Sequence, residues 1–270
     1  MWKSIYIYCH DVWVQEKLLL ELRPLLDETK KRWFFIKYWY GGPHIRLRFE
    51  EQSEEFFKKI DTTVSRFFQK NRVEDLQPEQ FYSFVTFREE HEGEKELPWY
   101  GSGTILEEEY VPETERYGTG EVLAASEEMF CRSSKLAMHL FLIAKKQNTR
   151  IIFSMYFLYQ ILRKTGVNME EFLQRYEAYW KTGHDGKMHL STESMKHVME
   201  KIRGEEIDFH IFDSEMEELV EGALEIKKLV SEEAFSYILS SQVHMMNNRI
   251  SVTTDFEYEI AKIMREVLYG

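Results

Sequence analysis

Cysteine, proline, long apolar runs and basic charge are all scarce in this chain. Two of its 270 residues are cysteines, Cys9 and Cys131, and five are prolines. Two cysteines cannot build the disulfide framework of a small secreted domain. They also stand at no metal or redox spacing, so a reducing cytoplasm is the expected compartment. The most apolar stretch, residues 151–162, is interrupted by Ser154 and Gln160 and is too short to span a bilayer. The first residues (Met1-Trp2-Lys3-Ser4-Ile5-Tyr6) lack the basic start and long apolar core of a signal peptide. Lys and Arg number 35 against 47 Asp and Glu, a formal charge of -12, with no basic arm or tail. That balance repels phosphate backbones and argues against direct binding of nucleic acid. Repeats and low-complexity linkers are missing too, which favours a single folded body over residues 1–270.

What is plentiful is aromatic and aliphatic bulk. Aromatics make up 15% of the chain and hydrophobic residues 43%, enough for a sizeable core. The same aromatics suit an apolar cleft for a peptide. Residues 4–9 (SIYIYC) are short, aromatic and β-branched, and predict a strand. Over residues 12–26, Val14, Leu18, Leu19, Leu22, Leu25 and Leu26 recur at helical spacing. Residues 33–39 predict a second strand, Gly41-Gly42-Pro43 a turn, and residues 44–49 a third strand. Residues 54–68 are again helical, with Phe56, Phe57, Ile60, Val64 and Phe67 along one side. Strand, helix, strand, strand, helix describes an α+β unit: an antiparallel-rich sheet with helices packed on one face.

Residues 81–111 are strand-prone and irregular, with loops at the acidic turn 89–94 and at Gly101-Ser102-Gly103. Beyond them the chain turns mainly helical. Helices are predicted near 122–146, 150–164, 169–181, 192–202 and 215–230, with one or two more over 232–268. Residues 181–186 are a loop. The β-rich part covers about 1–118 and the helical part about 119–270.

Three segments carry candidate chemistry. In the third strand, alternation puts Ile45, Leu47 and Phe49 on one face and His44, Arg46 and Arg48 on the other. Two guanidiniums about 6.5 Å apart at the backbone suit a carboxylate or a developing enolate oxygen, because arginine keeps its charge and offers a planar fork of donors. The same pattern also fits the wet face of a half-buried sheet. The second segment is residues 110–118, YVPETERYG, an acidic-basic-aromatic turn bracketed by Pro112 and Gly118 and holding Glu113, Arg116 and Tyr117. The third, residues 240–249, places His244 in a polar, amide-rich stretch between apolar helices, followed by Asn248 and Arg249. Histidine is the side chain best suited to move a proton near neutral pH, though a hydrogen-bonded structural histidine reads the same in sequence.

Other motifs fall away. His184 and His189 have no third ligand at a zinc spacing, so no metal site is expected. Gly118-Thr119-Gly120 lacks the remainder of a phosphate loop, and no G-x-S-x-G elbow is present. The acidic helix near 216–229 reads as a solvated face, and Met245-Met246 as core.

Taken in order, WFFIKYWYGGPHIRLRF (33–49), YVPETERYG (110–118) and HMMNNR (244–249) resemble the C-terminal domain of LanB-type lantibiotic dehydratases. That domain is also found alone as the thiopeptide-type bacteriocin biosynthesis protein. The likeness runs over nearly the whole chain. It implies a lyase of ribosomal peptide modification. A separate partner uses glutamyl-tRNA to esterify Ser or Thr of a precursor peptide carrying a leader. The domain then expels glutamate to leave dehydroalanine or dehydrobutyrine. The resemblance implies catalytic roles for Arg46, Arg48, Arg116 and His244, and substrate contacts from His44, Glu113, Tyr117, Asn248 and Arg249. It implies no cofactor.

Two alternatives share the scaffold. One is a thiopeptide pyridine synthase, which joins two dehydroalanines by a formal aza-[4+2] cycloaddition, closes the macrocycle and releases the leader. The other is a non-catalytic protein that docks the leader. The chain departs from the family at Thr119, where a second glycine is usual, and at Phe130-Cys131-Arg132-Ser133-Ser134, where an Asp-Ser pair is common. Its segment between Phe49 and Tyr110 is also longer than usual.

Overall fold

The computed structural model describes residues 2–50, 53–83, 97–181 and 191–270. The acidic turn 89–94, the loop from residue 182 onward and the pair His184 and His189 lie outside the described residues. The chain divides into two compact units, Met1–Pro112 and Glu113–Gly270.

The first unit is α+β. Strands β1 (Trp2–Tyr8), β2 (Trp33–Tyr38), β3 (His44–Glu50) and β4 (Ile105–Glu108) form one antiparallel sheet in the order β2-β3-β1-β4. Register puts Ile5, Leu47 and Phe35 side by side, and all three are buried. On this face Phe49 meets Phe56 and Phe57 of helix α2 (Glu54–Lys70), each with ring centroids 5.3 Å away. Helix α1 (Val12–Glu28) packs beside α2 and buries Leu18, Leu19, Leu22 and Leu26. It begins where the Asp11 carboxylate accepts the backbone N–H groups of Trp13 and Val14, an N-cap. A buried ion pair, Lys37 Nζ to Glu16 Oε1 at 2.9 Å, ties β2 to α1.

The expected turn between β2 and β3 is present. Gly41 and Gly42 take φ of +83° and +105°, which side chains resist, and the Tyr82 hydroxyl accepts the Gly41 N–H. Tyr82 ends a short helix, α3 (Pro78–Tyr82), within the stretch expected to be strand-prone; of that stretch only β4 is strand among the described residues.

The second unit is helical. A single turn, α4 (Thr114–Tyr117), is followed by α5 (Gly120–Ile143), α6 (Gln147–Thr165), α7 (Met169–Trp180), α8 (Thr192–Arg203), a short 3-10 turn (His210–Phe212), α9 (Asp213–Leu229), α10 (Glu232–Arg249) and α11 (Thr254–Tyr269). Helix α6 is buried on nearly every side, which explains why its sequence is so uniformly apolar. Helix α10 packs on α4, α5, α7 and α11, and α11 packs on α7. No helix among the described residues is long and apolar enough to cross a membrane.

Candidate active site

The face of the sheet opposite α2 is not a wet surface. Register aligns Tyr8 and Tyr38 with His44, Tyr6 and Ile36 with Arg46, and Ser4 and Phe34 with Arg48. His44 is fully buried, its ring 5.0 Å from that of Tyr6 and 4.6 Å from that of Tyr8. Its Nδ1–H donates to the Gly42 carbonyl at 2.8 Å, so Nε2 is left to accept Arg46 Nε–H at 3.2 Å. Burial is the main reason its pKa is pushed down to about 3, with Arg46 and Arg48 adding to the effect. A neutral His44 is therefore an acceptor that orients Arg46. The Arg46 guanidinium also lies 3.5 Å from the Tyr38 ring centroid and 4.6 Å from that of Tyr6. Arg48 sits 4.9 Å from the Tyr110 ring and 5.5 Å from Phe34. The alternation read from sequence is present, but the polar side is lined with aromatic rings that hold both guanidiniums by cation–π contact.

In the second unit, Arg116 and His244 line one cavity of about 200 Å³. Phe172, Tyr176 and Trp180 of α7 supply aromatic wall, and Ser236, Ser240 and Ser241 of α10 supply hydroxyls. A second arginine, Arg175, also lines it and pairs with Glu171.

Arg116 is placed by its short helix. Gly118 ends that helix with φ +78° and ψ -170°, a conformation essentially confined to glycine, and a Cβ there would lie 2.8 Å from Val122 Cγ1. The guanidinium pairs with Glu113 at 3.5 Å. Burial works against its charge, but Tyr117 and Glu113 outweigh that and hold its pKa above the ordinary arginine value. Tyr117 is buried, its ring 4.7 Å from Phe130.

His244 lies inside α10 rather than in a break between helices. Its ring faces Trp180 at 4.6 Å, and its Nδ1 is 2.8 Å from Glu257 Oε1 of α11. Glu257 is almost wholly buried, and the Tyr176 hydroxyl donates to its other carboxylate oxygen. Burial first, and the Glu257 carboxylate second, push the Tyr176 pKa well above the tyrosine range, so this hydroxyl keeps its proton.

Arg249 is fully buried, donates through Nε to Ser134 Oγ at 3.0 Å and lies over Phe130 at 5.5 Å. It belongs to the packing of α10 on α5. Asn248 sits in the last turn of α10, its carbonyl accepting the Ser251 N–H. Ser134, within the segment 130–134 that departs from the family pattern, thus accepts Arg249 Nε–H. Arg132 beside it donates to the Glu218 carbonyl and pairs with Glu128, tying α5 to α9 across Gly222.

Tyr176, Trp180, Arg175 and Glu257 were not singled out from sequence. A signal existed for Glu257: it shares an apolar helical stripe with Ile260, Ala261 and Met264, where a lone carboxylate needs a partner.

A sequence profile described as "Lantibiotic biosynthesis dehydratase C-term" matches residues 2–268. The subtilin biosynthesis protein SpaB of Bacillus subtilis is 25% identical over 187 residues, 64% of this chain but 15% of that protein. Among solved structures, the pyridine synthase TbtD from thiomuracin biosynthesis superposes with a TM-score of 0.65 at 14% identity, covering 98% of this chain and 97% of that one. The tRNA dependent lantibiotic dehydratase MibB from Microbispora sp. 107891 gives 0.60 at 14% identity, covering 98% of this chain and 28% of that one. TsrL gives 0.65 at 15% identity, with 99% and 95% covered. At such identities the superpositions establish a shared fold.

Proposed function

The chain belongs to the lantibiotic biosynthesis dehydratase C-terminal family, and on that premise we propose that it eliminates glutamate from glutamylated Ser or Thr residues of a precursor peptide. The observation that carries this reading is the joint lining of one cavity by Arg116 and His244. Elimination needs a group to take the α-proton and a cation to offset charge on the carbonyl oxygen and on the departing carboxylate. In the reaction the Cα–H and Cβ–O bonds break, the Cα–Cβ double bond forms, and glutamate leaves as a carboxylate. His244 handles the proton. Arg116 supplies a fixed positive charge, worth about 3 kcal/mol of barrier lowering for a well-placed donor.

Arg46 and Arg48 are assigned to the same reaction, with His44 orienting the first of them; the support is their aromatic cradle and their place in the strand motif. Glu113 sets Arg116, the buried Tyr117 and Arg249 shape the surrounding framework, and half-buried Asn248 is assigned a substrate contact. We assign the glutamylation step to a separate glutamyl-tRNA-dependent partner, and place the work in the cytoplasm on a leader-bearing peptide. The reaction as written asks for no cofactor.

The test is incubation with a synthetic peptide glutamylated at serine, followed by mass spectrometry. Loss of one glutamic acid is expected with the unaltered protein, and an intact ester with His244→Ala. Equal loss with His244→Ala would remove His244 from the chemistry. A second reading is favoured by the end-to-end match with a pyridine synthase: cycloaddition of two dehydroalanines with release of the leader. A leader-docking role without catalysis requires that His244→Ala and Arg46→Ala leave product formation untouched.

A further inference from the structure

We infer that Glu257 and Tyr176 form a positioning relay that fixes His244 in one tautomer and makes Nε2 the atom that moves the proton. The inference rests on the elimination reading in taking His244 as the acting base.

The geometry has three parts. Glu257 is 1% exposed, so its charge has left water and must be met by donors. It is met from both sides: Oε1 lies 2.8 Å from His244 Nδ1, and Oε2 accepts the Tyr176 hydroxyl. The N-terminal turn of α11, where Glu257 sits, adds a favourable helix dipole. A carboxylate can only accept, so His244 Nδ1 must carry a hydrogen, and Nε2 is left to take or release a proton.

The ring cannot turn freely to exchange its two nitrogens. Trp180 lies against it at 4.6 Å, and the imidazole is 18% exposed on its side chain. The exposed part belongs to the cavity it lines together with Arg116. When Nε2 takes the α-proton of the substrate residue, the imidazolium that forms is stabilised by the buried Glu257 carboxylate. When it gives that proton to water, the resting tautomer is restored. A base oriented by a third, buried group is the arrangement that general-base chemistry repeatedly uses. Tyr176 contributes by holding the carboxylate plane so that Oε1 remains on Nδ1.

Glutamate elimination by Glu257→Gln and Tyr176→Phe, measured at saturating glutamylated peptide, tests the relay. Glu257→Gln keeps the shape but removes the charge, and should lower kcat by about 10²-fold or more with little change in KM. Tyr176→Phe should lower kcat by about tenfold, the loss of one hydrogen bond to a charged group. A purely structural Glu257 would instead show unaltered kcat in the folded fraction. Nitrogen NMR of His244 in the unaltered protein gives a reading independent of any variant: protonated Nδ1 and bare Nε2 are expected, and the opposite tautomer would overturn the relay. Failure of the relay and failure of the elimination reading look different. If His244→Ala abolishes elimination while Glu257→Gln does not, the relay is wrong and the reaction stands. If His244→Ala is fully active, His244 is not the acting base and the relay falls while elimination stands. If the unaltered protein leaves the ester intact, the elimination reading beneath it is wrong.

Discussion

At His44 a single buried ring links the stability of the sheet to the orientation of an arginine. Burial drives its pKa down to about 3, whereas an unfolded chain protonates the same imidazole near 6.5. Between those values the unfolded state binds the extra proton, so this residue's contribution to stability falls as pH drops below about 6.5, by about 1.4 kcal/mol per pH unit. Urea unfolding at pH 7 and pH 5 measures this. The unaltered protein should lose more stability over that interval than His44→Gln; equal losses would mean the ring is not held neutral. The sequence made His44, Arg46 and Arg48 legible as one face of a strand. It did not reveal that the face is aromatic, because the rings come from β1, β2 and Tyr110, whose placement against β3 is a long-range property. Glu257 was missed for a similar reason. Its partners Tyr176 and His244 lie 81 and 13 residues away, and only helix packing brings them onto its two oxygens.

Among the elements, the four-residue helix α4 decides where Arg116 points, and Gly118 decides how α4 ends. Gly118→Ala forces a side chain into a glycine-only backbone region and against Val122. We expect a stability loss of about 1–3 kcal/mol and a larger proportional loss of elimination activity than a neutral core substitution of equal cost, because Arg116 moves with the turn. Paired thermal melts and rate measurements check it; full activity in a destabilised variant would contradict the link. Most elements were readable in advance, since strands β1 to β3 and helices α1, α2 and α5 to α9 carry clear periodicity, while 232–268 reads only as one or two helices. Helix α10 was the exception around His244. Its buried Gln242, Asn247 and Arg249 look like a polar break in sequence, yet each makes a hydrogen bond inside the fold: Gln242 to the Ser126 carbonyl, Asn247 from the Ser154 hydroxyl and Arg249 through Nε to Ser134. Hydrogen-bonded polar residues can continue a buried helix, and nothing local announces their partners.

Over the whole molecule, a net charge of -12 sets the long-range field. We expect the isolated chain to show no binding of tRNA by fluorescence anisotropy at about 0.1 M salt, where screening is already short-ranged. Tight binding there would assign it part of the glutamylation step. The α+β class was legible as a whole, from β-rich residues 1–118 to the helical remainder, because apolar periodicity records burial faithfully at that scale. The change from β-rich to helical pattern near residue 118 falls close to the boundary between the two compact units at Pro112, although no linker marks it. The central claim, glutamate elimination, is tested most directly by mass spectrometry of the unaltered protein with two peptides: one glutamylated at serine, one already carrying two dehydroalanines. Loss of glutamic acid from the first, with the second unchanged, is the expected result. An intact ester alongside conversion of the second peptide to a macrocycle, with release of its leader, would contradict it.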